Sequence, residues 1–131
     1  MKLLITGGAG FIGSNFIRYI LNKYPSYKII NLDKLTYAGN LENLKDISGN
    51  KNYAFIRGDI CDDKLIKRII PQCDCLLNFA ASTHVDRSIK EPLDFVKTNV
   101  CGVYTLLEAG RAAGLKLLIQ ISTDEVYGSV L

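Results

Sequence analysis

The sequence predicts an α/β fold in which one parallel sheet is covered by helices on both faces. Short apolar runs alternate with segments of helical periodicity along the whole chain. Runs such as Leu3-Leu4-Ile5 and Leu117-Leu118-Ile119 are apolar at every position, as in strands that are buried on both faces. A glycine-rich loop follows the first run directly. These three features predict a doubly wound parallel sheet, and 131 residues suit a single domain, residues 1–131.

The first βαβ unit is the clearest part of the pattern. Residues 2–6 predict a strand, and apolar side chains then recur at helical spacing from Phe16 to Leu21, until Pro25 breaks the helix. Residues 28–32 predict the next strand, which ends at Asp33. The length between the strands suits a right-handed parallel crossover.

The rest of the chain continues the alternation. Residues 36–52 are rich in Asn, Gly and Asp and predict an extended connection with one helical turn near residues 41–45. A helix is expected from Pro92 to Gly114, with Val96, Val100, Val103 and Leu107 on one face. The other predicted elements are strands at 53–57, 75–79 and 116–121 and a helix at 62–70.

Composition excludes several classes of protein. Apolar residues make up 48% of the chain and charged residues 22%, the balance of a globular protein. The net charge of +3 comes from scattered lysines and arginines, so nucleic acid is not an expected partner. Since no apolar run approaches the roughly 18–20 residues that span a bilayer, no membrane segment is expected either.

The cysteines and the start of the chain indicate a cytoplasmic protein. No secretory signal precedes the first strand. In a reducing compartment the cysteines are expected to be free thiols. Their spacing is not C-x-x-C, and the only histidine, His84, is beside no cysteine, so no metal site is predicted. The cysteines are Cys61, Cys73, Cys75 and Cys101.

The glycine loop has the spacing G-x-x-G-x-x-G through Gly7, Gly10 and Gly13, between a strand and a helix. The first glycine permits a tight turn, the second lets a pyrophosphate approach the backbone, and the third lets the helix lie close to the sheet. The helix N-terminus then presents free N–H groups to the anion. A glycine turn without a ligand is the alternative for this motif taken alone.

Asp33 favours a dinucleotide over a bare turn. It lies twenty residues after Gly13, at the end of the second strand, where a carboxylate accepts hydrogen bonds from an adenosine ribose. The same carboxylate repels a 2′-phosphate, which favours NAD over NADP, although the neighbouring Lys34 acts in the opposite direction. The strand, the glycine loop, the helix and the acidic residue together predict a Rossmann-type NAD site.

Three further segments carry a resemblance to a known family. The glycine spacing resembles that of the extended short-chain dehydrogenase/reductase superfamily, and residues 31–40, 78–88 and 122–128 resemble dTDP-glucose 4,6-dehydratases. The resemblance covers essentially the whole chain, and Ser122-Thr123-Asp124-Glu125-Val126-Tyr127-Gly128 is its most specific part. Two positions depart from it: Ser82 replaces a usual Glu, and Thr83 replaces a usual Ser.

The resemblance implies a set of NAD contacts. Phe11 and Ile12 are expected at the pyrophosphate and Asp59 with Ile60 at the adenine. Thr83 is expected on the ribose and nicotinamide side of the cofactor, with Thr98 nearby, and Thr83 is expected to reach the sugar as well. The remaining implied contacts are Asp33, Lys34, Leu35 and Thr36 around the ribose, and Ala80 and Ala81 on the nicotinamide side.

The resemblance also implies an acid and a base. Asp124 is expected to protonate the departing C6 hydroxyl of a nucleotide-activated glucose, and Glu125 to remove the C5 proton, after oxidation at C4 by NAD. Thr123 is expected to contact the sugar through its C4 oxygen. The pair needs environments that push the two pKa values apart. Without the resemblance, Thr-Asp-Glu is an ordinary helix N-cap followed by acidic residues.

The family pattern is incomplete in this sequence. Its Tyr-x-x-x-Lys pair is expected beyond Leu131, and the sheet is expected to stop after about the fifth strand, before a sugar-nucleotide-binding domain. The chain alone is therefore expected to bind NAD without turnover, whereas the complete enzyme is expected to act as a homodimer. The alternatives are a UDP-sugar epimerase, a decarboxylase or a non-catalytic NAD-binding module.

Overall fold

The sheet has five parallel strands in the order β3-β2-β1-β4-β5 within the part of the chain that the structure describes. This computed structural model describes residues 1–128, apart from the side chains of Asp124 and Glu125. The order places β1 at the centre, between β2 and β4. The strands are β1 (Lys2–Thr6), β2 (Lys28–Asp33), β3 (Tyr53–Arg57), β4 (Cys75–Asn78) and β5 (Leu117–Gln120).

Helices cover both faces of the sheet. The α-helices are α1 (Phe11–Lys23), α2 (Asp63–Ile69), α3 (Val85–Lys90), α4 (Pro92–Val96) and α5 (Val103–Ala112). A π-helical segment, Lys97–Gly102, joins α4 to α5. Three 3₁₀ segments complete the list: Leu41–Ile47, Ile70–Gln72 and Asp124–Tyr127. Helix α1 and the segment Leu41–Ile47 lie on one face of the sheet, and α2 and α5 lie on the other.

Alternate side chains of β1 divide the core into two layers. Leu3 and Ile5 point to one face of the sheet, where they pack with Ile17 of α1. Leu4 points to the other face, where it packs with Ile66 of α2 and Leu106 of α5. Because both faces of the sheet are covered, the strands are apolar at successive positions. The predicted doubly wound fold is confirmed.

The predicted elements agree with the structure except in two places. The helical part of the connection after β2 is Leu41–Ile47, longer than the single turn that was predicted. The single helix expected from Pro92 is divided into α4, the π-helical segment and α5, and α3 precedes it. Gly102 closes the π-helical segment, and a Cβ there would meet the side chain of Ile60, so the wide turn lies directly on the core.

The apolar side chains on the α4–α5 segment form two faces. Leu106, Ala109 and Gly110 pack toward the core, whereas Val100 is 60% exposed. We call the second set the exposed helix face; it consists of Leu93, Val96, Val100, Tyr104 and Leu107. Most of the predicted apolar face therefore lies in solvent. Periodicity alone does not distinguish the two faces, because both are apolar.

None of the helices in residues 1–128 has the length and apolar character that crossing a lipid bilayer requires.

Candidate functional site

The strand order creates a crevice between the loops that follow β1 and β4. These two strands are neighbours, and the chain leaves their carboxyl ends toward opposite faces of the sheet. In an open α/β sheet this switch point is the usual position of a ligand. The glycine loop follows β1 on one side of the crevice, and residues 79–84 follow β4 on the other.

The glycine loop is closely packed at its first and last glycines. Gly7 has a φ of 70°, and a Cβ there would lie 2.5 Å from the backbone nitrogen of Ala80. A Cβ on Gly13 would lie 2.5 Å from the carbonyl oxygen of Gly7. The tight turn and the close helix approach that the motif predicted are therefore both present. No other residue fits these two positions without displacing backbone.

The first turn of α1 is open to solvent. Gly10 caps the helix with an extended backbone and no side chain, and a Cβ there would meet only carbonyl oxygens at 3.3 Å or more. The side chains of Phe11 and Ile12 are 81% and 64% exposed. The first N–H groups of a helix lack intrahelical acceptors, so this turn can receive an anion.

Asp33 connects the end of β2 to the glycine loop. Its Oδ2 accepts the backbone N–H of Ala9 at 2.8 Å, and its Oδ1 accepts the N–H of Leu35 at 2.8 Å. The residue is 8% exposed. Leu35 has a φ of 58°, a left-handed conformation that this hydrogen bond helps to hold. Each carboxylate oxygen keeps a further lone pair for a ribose hydroxyl.

A first cavity of about 330 Å³ lies next to the carboxyl ends of β2 and β3. It brings together four predicted contacts: Lys34, Thr36, Asp59 and Thr98. The other lining residues are Tyr37, Cys61, Ser82, Arg87, Glu91, Asp94, Phe95, Lys97 and Cys101. The first cavity thus has three basic and three acidic side chains in its wall.

Lys34 and Asp59 form an ion pair in the wall of the first cavity, with Nζ 2.7 Å from Oδ2. The hydrogen bond to Asp59 raises the pKa of Lys34 despite partial burial. Burial acts to raise the pKa of Asp59, but the N–H of Cys61 and the Lys34 ammonium hold this pKa below its ordinary value. Both groups are therefore charged at neutral pH.

A second cavity of about 510 Å³ lies at the carboxyl ends of β4 and β5. Four predicted residues line it: Ala80, Ala81, Thr83 and Thr123. Ser82 and Phe95 line both cavities, so the two adjoin. The other lining residues are Val85, Ser88, Asn99, Val103, Gln120, Ile121, Ser122 and Val126.

A chain of polar side chains fixes the floor beneath the second cavity. The hydroxyl of Thr6 donates to Oδ1 of Asn78, and Nδ2 of Asn78 donates to Oε1 of Gln120 at 2.7 Å. Oδ1 of Asn78 also accepts the N–H of Ala80 at 3.1 Å. The ends of β1, β4 and β5 are thus connected through side chains as well as through the sheet.

The loop after β4 is held by Asn99 of the π-helical segment. The N–H of Ser82 donates to Oδ1 of Asn99, and Nδ2 of Asn99 donates to the carbonyl oxygen of Ser82, both at 2.8 Å. Sequence reasoning missed Asn99, because a single asparagine inside a predicted helix gives no signal for a contact 17 residues away.

The predicted acid and base are described only in part. Thr123 is exposed at the wall of the second cavity, and the 3₁₀ turn Asp124–Tyr127 follows it. The N–H of Val126 reaches the carbonyl oxygen of Thr123 at 3.4 Å. The backbone therefore places Asp124 and Glu125 beside the second cavity, whereas their side chains lie outside the described residues.

Two predicted contacts have side chains that point elsewhere. Ile60 is 4% exposed and packs in the core, and Leu35 packs against the core next to α1. Neither side chain lines the first or the second cavity, and the buried side chain of Ile60 leaves only its backbone for a cofactor. Both residues were predicted from the resemblance of sequence segments to the family, and such a resemblance does not distinguish side-chain contacts from backbone contacts.

Tyr37, in the segment after β2, contacts Arg87 of α3 across the first cavity. The Arg87 guanidinium lies 4.2 Å from the centre of the Tyr37 ring, and its nitrogen is 3.7 Å from a carboxylate oxygen of Glu91. His84 meets the edge of the same ring at 5.6 Å between centroids. The described side-chain contacts of Arg87 are thus with Tyr37 and Glu91.

A Tyr-x-x-x-Lys pattern also occurs within this chain, at Tyr19 and Lys23, but these residues line neither cavity. Its two side chains are joined at 2.5 Å between Nζ and the phenol oxygen. They stand near the end of α1, which runs from the carboxyl edge of the sheet to the opposite edge. This pair is therefore not positioned to serve the crevice.

The strand order, the glycine loop and the acidic end of β2 define a Rossmann-type nucleotide-binding domain. The family model described as GDP-mannose 4,6 dehydratase matches residues 4–131. The chain belongs to this family.

Several relatives of the chain are dTDP-glucose 4,6-dehydratases. The chain is 49% identical over 141 residues to a dTDP-glucose 4,6-dehydratase of Escherichia coli, which covers 99% of this chain and 39% of that enzyme. It is 47% identical to a crystallised dTDP-glucose 4,6-dehydratase of Streptomyces venezuelae with NAD bound, with a TM-score of 0.95 over 100% of this chain and 42% of that one. The chain thus spans about two fifths of the length of these relatives.

Epimerases of nucleotide sugars are more distant. A UDP-glucose 4-epimerase of Thermotoga maritima is 34% identical, with a TM-score of 0.86 over 100% of this chain and 41% of that one. The fold is shared, and the higher identity lies with the dehydratases.

Proposed function

We propose that this chain is the NAD-binding part of a dTDP-glucose 4,6-dehydratase. The observation that carries the proposal is the pair of adjoining cavities at the carboxyl edge of the sheet, each lined by four of the predicted site residues. The 49% identity to a dehydratase supports the assignment of the reaction. In this proposal residues 1–131 are an incomplete NAD-binding domain, and a sugar-nucleotide-binding domain belongs to the rest of the protein.

The described residues fit NAD at three places. The glycine loop leaves no room for side chains at Gly7 and Gly13, and the first turn of α1 at Phe11 is open to a pyrophosphate. Asp33 would hold the ribose, and the first cavity would receive the adenine. The second cavity would receive the nicotinamide beside Ala80, Ala81 and Thr83. Thr98, which lines the adjoining first cavity, would lie nearby. When bound, NAD supplies the acceptance and return of a hydride.

The residues after β5 would perform the elimination of water. Thr123 would orient the sugar through its hydroxyl, and Thr83, which lines the same cavity, would contact the sugar as well. Glu125 would take the C5 proton, and Asp124 would give a proton to the departing C6 hydroxyl. The position of the turn Asp124–Tyr127 beside the second cavity supports these roles.

The exposed helix face supports a homodimer. It is a continuous row of apolar side chains on the α4–α5 segment, and such a row is rarely left in water. Because a two-fold dimer brings the same surface of two copies together, one apolar stripe serves both partners. A cytoplasmic location is part of the same proposal, and the four free thiols suit a reducing compartment.

Calorimetry with the purified natural-length protein, meaning the whole chain that the cell produces, tests the binding of NAD directly. We expect saturable binding of NAD and its loss in the Gly7→Val variant, since valine at this position cannot adopt the backbone of Gly7. Gly49→Val is the matched control, because a Cβ there meets nothing within 4 Å. Absence of NAD binding in the wild-type protein would refute the proposed site.

The reaction is tested with dTDP-glucose. A 4-keto-6-deoxy product supports the dehydratase, whereas a C4 epimer alone would show an epimerase. We expect Glu125→Gln and Asp124→Asn to lower kcat by about 10²-fold or more while NAD binding is kept, on the scale of lost general acid–base catalysis. Thr123→Val should also lower kcat. A coding sequence without a Tyr-x-x-x-Lys pair after residue 131 would favour a non-catalytic NAD-binding module.

A further inference from the structure

The position of Lys34 bears on the choice between NAD and NADP. It follows Asp33, which the proposed function assigns to the adenosine ribose, and it lines the first cavity. A free ammonium beside the ribose would attract the 2′-phosphate that distinguishes NADP from NAD. The carboxylate of Asp33 therefore disfavours binding of NADP, whereas the ammonium of Lys34 would favour it.

The ammonium of Lys34 is not free in the structure. Its Nζ lies 2.7 Å from Oδ2 of Asp59, on the neighbouring strand end. Asp94 lines the same cavity, and its charge also acts to raise the pKa of Lys34. A 2′-phosphate that approached this lysine would therefore meet the Asp59 carboxylate, which offsets the charge of the ammonium and competes for it.

Asp59 is itself held in place. Its Oδ1 accepts the N–H of Cys61 at 2.9 Å, and its carbonyl oxygen accepts the N–H of Asp62 at 3.0 Å. These two bonds form a turn just before α2, which leaves Oδ2 directed at Lys34. The carboxylate is a fixed partner of the lysine.

We propose that Asp59 is a specificity-determining residue that occupies the Lys34 ammonium and thereby selects against a cofactor with a 2′-phosphate. This inference rests on the proposed binding of NAD. It assigns to Asp59 a second role beside the adenine contact, and it makes Lys34 neutral toward NADP as long as Asp59 is charged.

The Asp59→Asn variant tests the proposal with little structural change. Asparagine has the same shape, and its Oδ1 can still accept the N–H of Cys61, but it carries no charge to hold Lys34. We expect the affinity for NADP relative to NAD to rise about tenfold, on the scale of one charge-assisted hydrogen bond. The ratio is the readout, because a loss of adenine contact affects both cofactors alike.

Lys34→Met separates the lysine from a general charge effect. Alone, it should leave the NADP to NAD ratio within about twofold, because the wild-type ammonium is already occupied. In the Asp59→Asn background it should remove the gain. Asp63→Asn is the control for total charge, since Asp63 forms an exposed pair with Lys67 at 2.8 Å on α2 and lines neither cavity.

The measurements are dissociation constants of NAD and NADP by calorimetry, with the charcoal-treated, natural-length protein. If wild-type protein binds no NAD, the proposed function fails. If it binds NAD and the ratio is unchanged in Asp59→Asn, the specificity role alone is refuted. A gain that survives in Asp59→Asn/Lys34→Met, or that equals the gain in Asp63→Asn, would also overturn it. A tenfold loss of NADP affinity in Lys34→Met alone would show that the lysine was free.

Discussion

Asp33 holds the glycine loop through Ala9, because its Oδ2 accepts the Ala9 N–H at 2.8 Å across 24 residues of sequence. The carbonyl oxygen of Ala9 in turn accepts the N–H of Asn40 at 3.0 Å and Nδ2 of Asn43 at 2.9 Å. One residue of the loop is thus tied to the end of β2 and to the connection that follows it. The carboxylate assigned to the ribose also sets the shape of the loop assigned to the pyrophosphate.

Substitution of Asp33 is therefore expected to affect both stability and binding. Asp33→Ala leaves two backbone N–H groups without their acceptor, and we expect the free energy of unfolding to fall by about 1–3 kcal/mol. The affinity for NAD should fall at least about tenfold, since the ribose acceptor is lost too. Urea denaturation and calorimetry measure the two effects.

Asp46→Ala provides the comparison for Asp33. Asp46 forms an exposed pair with Arg18 at 2.8 Å, so its loss should cost about 0–1 kcal/mol and leave NAD affinity unchanged. Equal stability losses in the two variants would show that the Asp33 hydrogen bonds contribute no more than a surface ion pair.

The glycines of the fold are expected to differ in tolerance to alanine. Gly7→Ala combines a left-handed φ with a contact of 2.5 Å to the backbone of Ala80, so we expect a loss of about 2–3 kcal/mol. Gly114→Ala has a φ of 66° but open space and should lose about 1 kcal/mol. Gly49→Ala has neither cost and should be neutral. Denaturant midpoints rank them; equal losses at Gly7 and Gly114 would refute the steric argument.

The predictable part of the fold is the part with local signals. β1 and β3 have the predicted bounds, because apolar runs between turn residues are readable from neighbouring positions. Gly7 and Asp33 were predictable for the same reason, since the motif states both the residue type and the position after a strand. The strand order was not predicted, because no pattern among neighbouring residues records which strands pair.

The unpredicted part depends on contacts between distant segments. Arg87 lies over Tyr37, and Asn99 holds Ser82, but neither pair has a spacing that a sequence pattern records. The ion pair of Lys34 with Asp59 likewise joins the ends of two strands, and only the parallel register of β2 and β3 brings these ends together. For the same reason the sequence left the effect of Lys34 on cofactor choice open.

Cys73 is expected to react with alkylating reagents only at high pH. Burial raises the pKa of its thiol to about 11. Since the thiolate is the reactive form, the alkylation rate of Cys73 in the folded protein should keep rising about tenfold per pH unit from pH 8 to pH 10. Mass spectrometry of protein treated with iodoacetamide at each pH measures this rate.

The unfolded chain is the control for Cys73. In concentrated guanidinium chloride the thiol should titrate near its ordinary value of about 8.5, so the rate should level off above that pH. Because the folded state resists ionisation, the thiol also destabilises the fold as the pH rises from the unfolded to the folded pKa. A folded-state rate that levels off near pH 9 would contradict the effect of burial.

The exposed helix face is expected to form the contact between two copies of the protein. A charge at its centre would be buried in the dimer without a partner, so Val100→Glu should shift the natural-length protein from dimer to monomer. Leu41→Glu introduces the same charge on an exposed leucine of the 3₁₀ segment after β2 and should leave the dimer intact. Sedimentation velocity at several concentrations distinguishes these states. A Val100→Glu protein that remains a dimer while Leu41→Glu dissociates would place the interface elsewhere. NAD affinity should be unchanged in Val100→Glu, because Val100 lines neither cavity.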